Sequence, residues 1–564
     1  MTAVGFSVST RLHRAILVLG ALLAPWTAAG AAELQTPVDR ADPAVIGEEM
    51  RQSADQRSGA QPSPDRSVIG VPGPASGPSS SGGFIAGAIR IVGAEMLSPT
   101  DFAAAIEPYL GRELDGEALR ALARDVADVA RRAGYGLATA AVPPQDVLNG
   151  ILRVQLDEGR IDAIEVSGPA AAMVERRLAP LADGRPVRTA ELERRLRIAG
   201  DLAGVAVGQA RLARRGARNI LILDTGFDRV SAQAWIDNWG SDTVGPVRLR
   251  LSADVNRLLA GGDRLSFGGV VTPLQPGEFQ LAHARYALPV GTAGTELAVR
   301  GYVGHTEAGA ALKSLDLDGI SYELAVSASH PLIRSREASL WGTIDFSMRD
   351  SELSRRDLRL RNDRVAAASF SLYGTAAAAG GQARVRLTLV QGLDLLGATD
   401  RGDPLASRFN AGGTFTKFAF WTEYYRSLGG RFSLLLRGEG QIASRPLLSS
   451  EEMGLGGNPF LRGYDYRERA GDRGAAAVGE LRFDLRNLPS PLRRAQLYVY
   501  GDAGRVVNQR GGFGDGSLVS AGGGVRFWAR HGIEGAAEIG VPLADGFNGR
   551  RPGPRFTFIL GARF

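Results

Sequence analysis

From Arg229 to the last residue, Phe564, helical periodicity fades, and glycine-punctuated segments of alternating apolar and polar residues take over. In ELRFDLRN, Leu481, Phe483 and Leu485 share one face, with Glu480, Arg482, Asp484 and Arg486 on the other. In the terminal RFTFILGARF, one face carries Phe556, Phe558, Leu560, Ala562 and Phe564, and the other Arg555, Thr557 and Arg563. A strand period of two sets these faces. A soluble sandwich alternates in this way, and so does a transmembrane barrel, which turns the apolar side chains to lipid and the polar ones to a wet lumen. The charged and glycine-rich opposite faces, the long helix-free run and the aromatics near strand ends favour the barrel. An outer-membrane strand needs about 9–11 residues to span, and the region has room for about 16 strands, an even number as bacterial barrels have.

The N-terminal part has a different grammar. Arg11, His13 and Arg14 precede an apolar run, Ala15 to Ala24, and small residues through Ala32. This is the order of a secretory signal, read as residues 1–31. Residues 42–58 suit one short polar helix with Asp42 as N-cap and Pro43 in its first position. Residues 59–83, rich in Pro, Ser and Gly, read as a flexible linker. Residues 84–160 then follow a β-α-α-β-β order, with Leu119, Leu122, Val126, Val129 and Ala130 on one helical face. Residues 161–228 repeat that order, with VAVGQARLARRG and NILILDTGF as closing strands. Two consecutive units of one order suggest a duplicated α+β module. The fold expected is therefore two α+β modules followed by an all-β barrel over 229–564.

Composition narrows the function. With 0 cysteines, structural disulfides, Cys-ligated zinc and thiol catalysis are excluded. The 5 histidines are scattered and form no metal-ligating spacing, and no phosphate loop occurs. No catalytic residue, metal or cofactor is therefore expected. Acidic and basic residues alternate without a sustained basic run, which argues against nucleic acid as a partner. The arginines of RRLRIAGDL and RLARRGAR suit a solvated helix face, or attraction of acidic substrate segments.

One loop does not fit a solvated surface. Residues 456–474, GGNPFLRGYDYRERAGDRG, have the composition of an exposed loop but carry Phe460, Leu461, Tyr464 and Tyr466. Strand parity in the downstream segment places Tyr498, Tyr500 and Asp502 on one face, with Leu497, Val499 and Ala503 toward lipid.

Several segments, in order along the chain, carry a family resemblance. WIDNWGSDTVG (235–245) is similar to the family's Asp-Asn-x-Gly-Ser start, and YALPVG to its Tyr-x-x-Pro-Val-Gly hairpin. SHPLIRSR (329–336), QGLDLLGA (391–398) and YGDAGRV (500–506) match further blocks. The most specific is the block PLLSSEEMGLGGNPFLRGYDYRERAGDRGAAAVGELRFDLRN (446–487), whose tip runs from Leu461 to Tyr464, where the family usually has valine in place of Leu461. Together they resemble the two-partner secretion transporters of the haemolysin secretion/activation family. The resemblance implies an outer-membrane protein with a plug helix, two periplasmic POTRA modules and a 16-stranded barrel. It implies export of an unfolded secreted partner protein, with the barrel-assembly machinery and outer-membrane lipid as further partners. An assembly factor of the same superfamily is the alternative function, and an ungated porin a weaker one.

The resemblance also implies sites. The loop tip lies inside the barrel, with Arg462, Gly463 and Tyr464 anchored by Asp502, which is expected to take Arg462 as a bidentate pair. Gly456 and Gly457 permit the loop to enter, and Gly463 permits a tight turn. Phe556, Phe558, Leu560 and Phe564 form the C-terminal signal for barrel assembly.

Overall fold

The computed structural model describes residues 39–40, 42–48, 84–216, 218–356, 358–510, 512 and 514–564. The expected signal segment 1–31 and linker 59–83 lie outside them, as does most of the expected helix 42–58, of which 43–48 are helical. Asp42 caps that helix as its sequence suggests, accepting the Ala44 N–H at 2.8 Å.

In the first α+β unit, strand Ala88–Val92 pairs in parallel with Ile151–Asp157, which pairs antiparallel with Thr139–Ala141. Helix α1 (Gly116–Arg132) starts at Asp115, whose carboxylate accepts two N–H groups of the first turn, and buries Leu122, Val126 and Ala130 against the sheet. The preceding helical stretch, Pro99 to Tyr109, is broken into 3-10 and α segments and capped by a Ser98/Asp101 box. In the second unit, α2 (Ala171–Leu178) and α3 (Thr189–Gly200) cover a sheet centred on strand Arg218–Phe227. VAVGQARLARRG forms two strands here, Val205–Val207 and Arg211–Arg215. The break falls at Gly208, whose N–H bonds the Asp224 carbonyl and whose missing Cβ leaves room for the Asp224 carboxylate at 2.5 Å.

Sixteen strands then close into an antiparallel barrel. The first eight are β1 (Val230–Asp237), β2 (Arg248–Asn256), β3 (Arg264–Val271), β4 (Gln280–Val290), β5 (Thr295–Glu307), β6 (Leu317–Arg334), β7 (Ala338–Arg355) and β8 (Leu358–Ala378). The rest are β9 (Gly381–Leu393), β10 (Thr416–Gly429), β11 (Phe432–Ala443), β12 (Arg473–Asp484), β13 (Leu492–Val507), β14 (Gly516–Ala529), β15 (Glu534–Pro542) and β16 (Arg555–Arg563). Closure comes from β1 pairing with β16. Among the described residues no helix is long and apolar enough to cross a membrane; the strands do that.

Alternation sorts the wall residues along the middle of the strands. On β6, Ile320, Tyr322, Leu324 and Val326 are exposed to the outside, while Ser321, Glu323 and Ala325 are buried inside. On β13, Leu497 and Val499 face out and Tyr498, Tyr500 and Asp502 face in, as parity requires. Phe556, Leu560 and Phe564 stand on the outer face of β16, with the half-buried Phe558 between them. This inversion of a soluble protein's pattern is what lipid demands, since backbone groups are paired strand to strand and only apolar side chains meet the hydrocarbon.

The turns 291–294 and 335–337 lie on the side of the α+β units. There α2 and α3 dock: Arg194 donates to the Pro331 carbonyl at 3.1 Å from both terminal nitrogens, and Arg195 to the Thr292 carbonyl at 3.3 Å. Arg177 donates to the Gly291 carbonyl. Arg334 returns a two-point pair to Asp201, at 2.8 and 2.6 Å. The RRLRIAGDL arginines Arg194 and Arg195 are thus neither a free solvated face nor open to a substrate. They fasten the second unit to the barrel.

Candidate functional site in the barrel lumen

The segment between β11 and β12 folds back into the barrel. Gly456 and Gly457 turn it at φ of 115° and 88°, values a side chain disfavours, and a Cβ on Gly456 would strike the Asp465 carbonyl. The tip, Leu461 to Tyr464, is buried against β12 to β15.

Asp502 accepts the backbone N–H of Leu461 at 2.8 Å and of Arg462 at 3.2 Å, and pairs with the Ser520 hydroxyl. The expected bidentate pair with the Arg462 fork does not form; Arg462 Nε stands 3.8 Å from the carboxylate. The backbone N–H groups already occupy Asp502, so the guanidinium points past it. Nη1 lies 2.7 Å from Glu538 and 3.2 Å from Glu480, and the guanidinium stacks 3.4 Å from the Tyr500 ring centroid. Tyr498 also donates to Glu538 at 2.8 Å. Gly522 and Gly524 make room for these rings: a Cβ there would lie 2.5 and 2.7 Å from the Tyr500 and Tyr498 hydroxyl oxygens.

Gly463 serves a different purpose from the one its sequence suggests. Its φ is not left-handed; Leu461 takes that role at 62°. Gly463 instead lies against the wall, where a Cβ would come within 2.9 Å of Ser520 Cβ and Pro542 N. The Tyr464 ring is fully buried, and its hydroxyl lies 2.9 and 2.8 Å from the Val519 and Ala544 carbonyls.

A second lumenal element was only partly legible. The described plug residues, 39–40 and 42–48, lie in the lumen against β5 to β8. Arg349 of β7, itself buried, binds Glu48 of the plug at 2.6 Å, Glu323 of the wall at 2.8 Å and Glu451 of the loop at 3.0 Å. Ser351 donates to Asp42 at 2.7 Å, and Arg361 pairs with Asp39. Burial pushes the Asp42 carboxyl above the usual carboxylate range, opposed by its bonds from Ser351 and Ala44. Glycines admit the helix: Gly304 would place a Cβ 3.2 Å from Pro43, and Gly47 one 2.8 Å from the Tyr302 ring. Plug and loop also touch. Arg40 reaches Asp465 at 3.4 Å and Glu468 at 3.0 Å, and Ile46 shares an apolar cluster with Tyr466.

The partners missed from sequence are Glu480, Glu538 and Arg349. Alternation alone put Glu480 on an inward face; no spacing linked any of the three to the loop.

Two elements, the loop and the plug, thus enter the lumen and bond to its wall through ion pairs and hydrogen bonds. The ShlB-type POTRA domain model matches residues 84–159, the first α+β unit. The heme/hemopexin transporter protein HuxB of Haemophilus influenzae strain 86-028NP is 24% identical over 387 residues, 66% of either chain. The chain thus spans just under two thirds of that relative's length. The outer membrane transporter CdiB of Dickeya dadantii is 22% identical over 75% of this chain and 76% of its own. The solved structure of CdiB from Escherichia coli shares the fold at a TM-score of 0.75 and 20% identity, covering 94% of this chain and all of that one. The family model for haemolysin secretion/activation proteins, ShlB/FhaC/HecB, covers residues 216–527, more than half of the sequence, and this chain belongs to that outer-membrane family.

Proposed function

We propose that the protein exports an unfolded partner polypeptide from the periplasm to the cell surface through its barrel lumen. The observation that supports this most is the construction of the lumen. Its occupants are a tethered loop and a helical plug segment, and the plug is bonded to charged wall residues that can exchange those bonds for water or for a passing chain. A packed apolar core would have no such exchange. Residues 84–228 form the periplasmic receiving end, where strand edges of the two α+β units take an extended segment by backbone hydrogen bonding. Arg462, Gly463, Tyr464 and Asp502 anchor the loop, with Gly456 and Gly457 at its turn. The face of Phe556, Phe558, Leu560 and Phe564 is read during barrel assembly, and residues 1–31 direct the chain out of the cytoplasm.

The test is a comparison of surface and released proteins in cells with and without this chain. Loss of one large secreted protein supports export. A general loss of outer-membrane barrels, with that protein still released, would move the function to barrel assembly.

A further inference from the structure

The barrel closes through a short seam. β1 and β16 share five register pairs, Gln233–Asp237 with Arg563–Ile559, whereas β1 and β2 share eight. Beyond Asp237 the first strand leaves the sheet: the Asp237 carboxylate accepts the Trp239 N–H at 3.0 Å and bends the chain away. The outer part of β16 would then face a gap on that side, with the Phe558 N–H and C=O and the Phe556 C=O unpaired. Unpaired backbone groups are costly beside lipid.

Asn238 fills that gap alone. Its backbone N–H donates to the Phe558 carbonyl at 3.3 Å. Its side-chain oxygen accepts the Phe558 N–H at 2.7 Å, and its side-chain nitrogen donates to the Phe556 carbonyl at 2.9 Å. A primary amide offers the same donor and acceptor as a peptide group, so one side chain replaces a missing stretch of strand. The following turn is tied in as well. Arg555 of β16 donates to the Gly240 carbonyl at 3.0 Å, and its other terminal nitrogen reaches the loop at Tyr464 O, 3.1 Å, and Asp465, 2.5 Å. Inside the seam the Trp235 ring covers Gly561, where any Cβ would collide with it.

We infer that Asn238 is a side-chain latch that closes the seam between the first and last strands at its outer end. Roles along the Asp-Asn-Trp-Gly-Ser stretch, 237–241, then separate by residue. Asp237 ends the strand, Asn238 caps its neighbour, and Gly240 receives Arg555. The latch is independent of which polypeptide the barrel transports.

The chain has no cysteine, so introduced pairs report cleanly. Hydrogen exchange of the purified full-length protein in lipid nanodiscs is measured for wild type, Asn238→Ala, Asn238→Asp and Gln233→Ala. In Asn238→Ala the Phe558 amide exchanges at least about tenfold faster, while amides of β8 and β9 keep their rates. Asn238→Asp keeps the acceptor for Phe558 and gives a smaller increase; Gln233→Ala gives none. A disulfide between Ala234→Cys and Ala562→Cys, which face each other in the register, returns the heat resistance of Asn238→Ala to that of wild type. Unchanged Phe558 exchange in both Asn238 variants would overturn the latch. So would a loss of heat resistance that the seam disulfide does not restore.

Discussion

The loop tip and the plug segment occupy nearly opposite walls of one lumen but are bound in different ways. The tip is continuous with the barrel at both ends. It is held by backbone hydrogen bonds to Asp502, by glycine-to-backbone contact at Gly463, and by Arg462 between two carboxylates and a tyrosine face. The described plug residues include six helical ones, packed on the wall at Pro43 and Gly47 and bonded to it through side chains: Glu48 to Arg349, Asp42 to Ser351, Asp39 to Arg361 and Ser449. Backbone bonds and close packing require one geometry, whereas ion pairs between flexible side chains can dissolve one at a time. The difference separates a fixture from a removable stopper.

Arg462→Ala should produce the largest effect. It leaves Glu538 buried without its cation, a loss of about 3–5 kcal/mol for a broken buried pair. Export of the partner is expected to fall more than about tenfold, the factor that each 1.4 kcal/mol carries. The barrel should still insert and keep its heat-modifiable mobility, since Arg526 and Arg482 continue to neutralise Glu480. Quantified partner release beside a gel-shift assay reads both. Next comes Gly463→Val, which forces side-chain atoms into Ser520 and Pro542. Overpacking of about 1–3 kcal/mol should displace the tip and give a weaker form of the same export defect.

The plug variants should differ in kind. Glu48→Gln removes the plug's charge from Arg349, yet leaves that arginine paired with Glu323 and Glu451. Single-channel recordings should show more frequent or longer open events, with export retained. A closed channel with lost export would place the plug among the fixtures. Asp201→Ala should be mildest. It removes one bidentate tie between the second α+β unit and β6, while Arg194 and Arg195 keep theirs. A wider distance distribution between spin labels on α3 and a periplasmic turn, with little change in export, is the expected result.

The sequence showed the barrel walls well because lipid enforces a rule that alternation displays directly. Tyr498, Tyr500 and Asp502 face inward for the same reason that Leu497 and Val499 face outward. Bulky residues between glycines marked the loop as no ordinary solvated one, and the family resemblance implied its place inside the barrel. Its true bonding was not legible. Asp502 binds N–H groups, and every non-proline residue carries one, so no side-chain pattern announces that choice. Arg194 and Arg195 were hidden for the mirror-image reason: their acceptors are backbone carbonyls, of Pro331 and Thr292. Glu480 and Glu538 stand 18 and 76 residues from Arg462, and only closure of the wall brings both to one nitrogen.

Two engineered disulfides test the contrast most directly, in a chain with no cysteine of its own. Pro43→Cys with Gly304→Cys would tether the plug to β5, where the Cβ positions lie 3.2 Å apart. Leu461→Cys with Gly504→Cys would tether the loop tip to β13, where the Leu461 side chain already meets Gly504. With both proteins oxidised in the membrane, the plug tether should stop export until a reductant is added. The loop tether should leave export unchanged. Export that continues through the plug tether, or stops with the loop tether, would contradict the account.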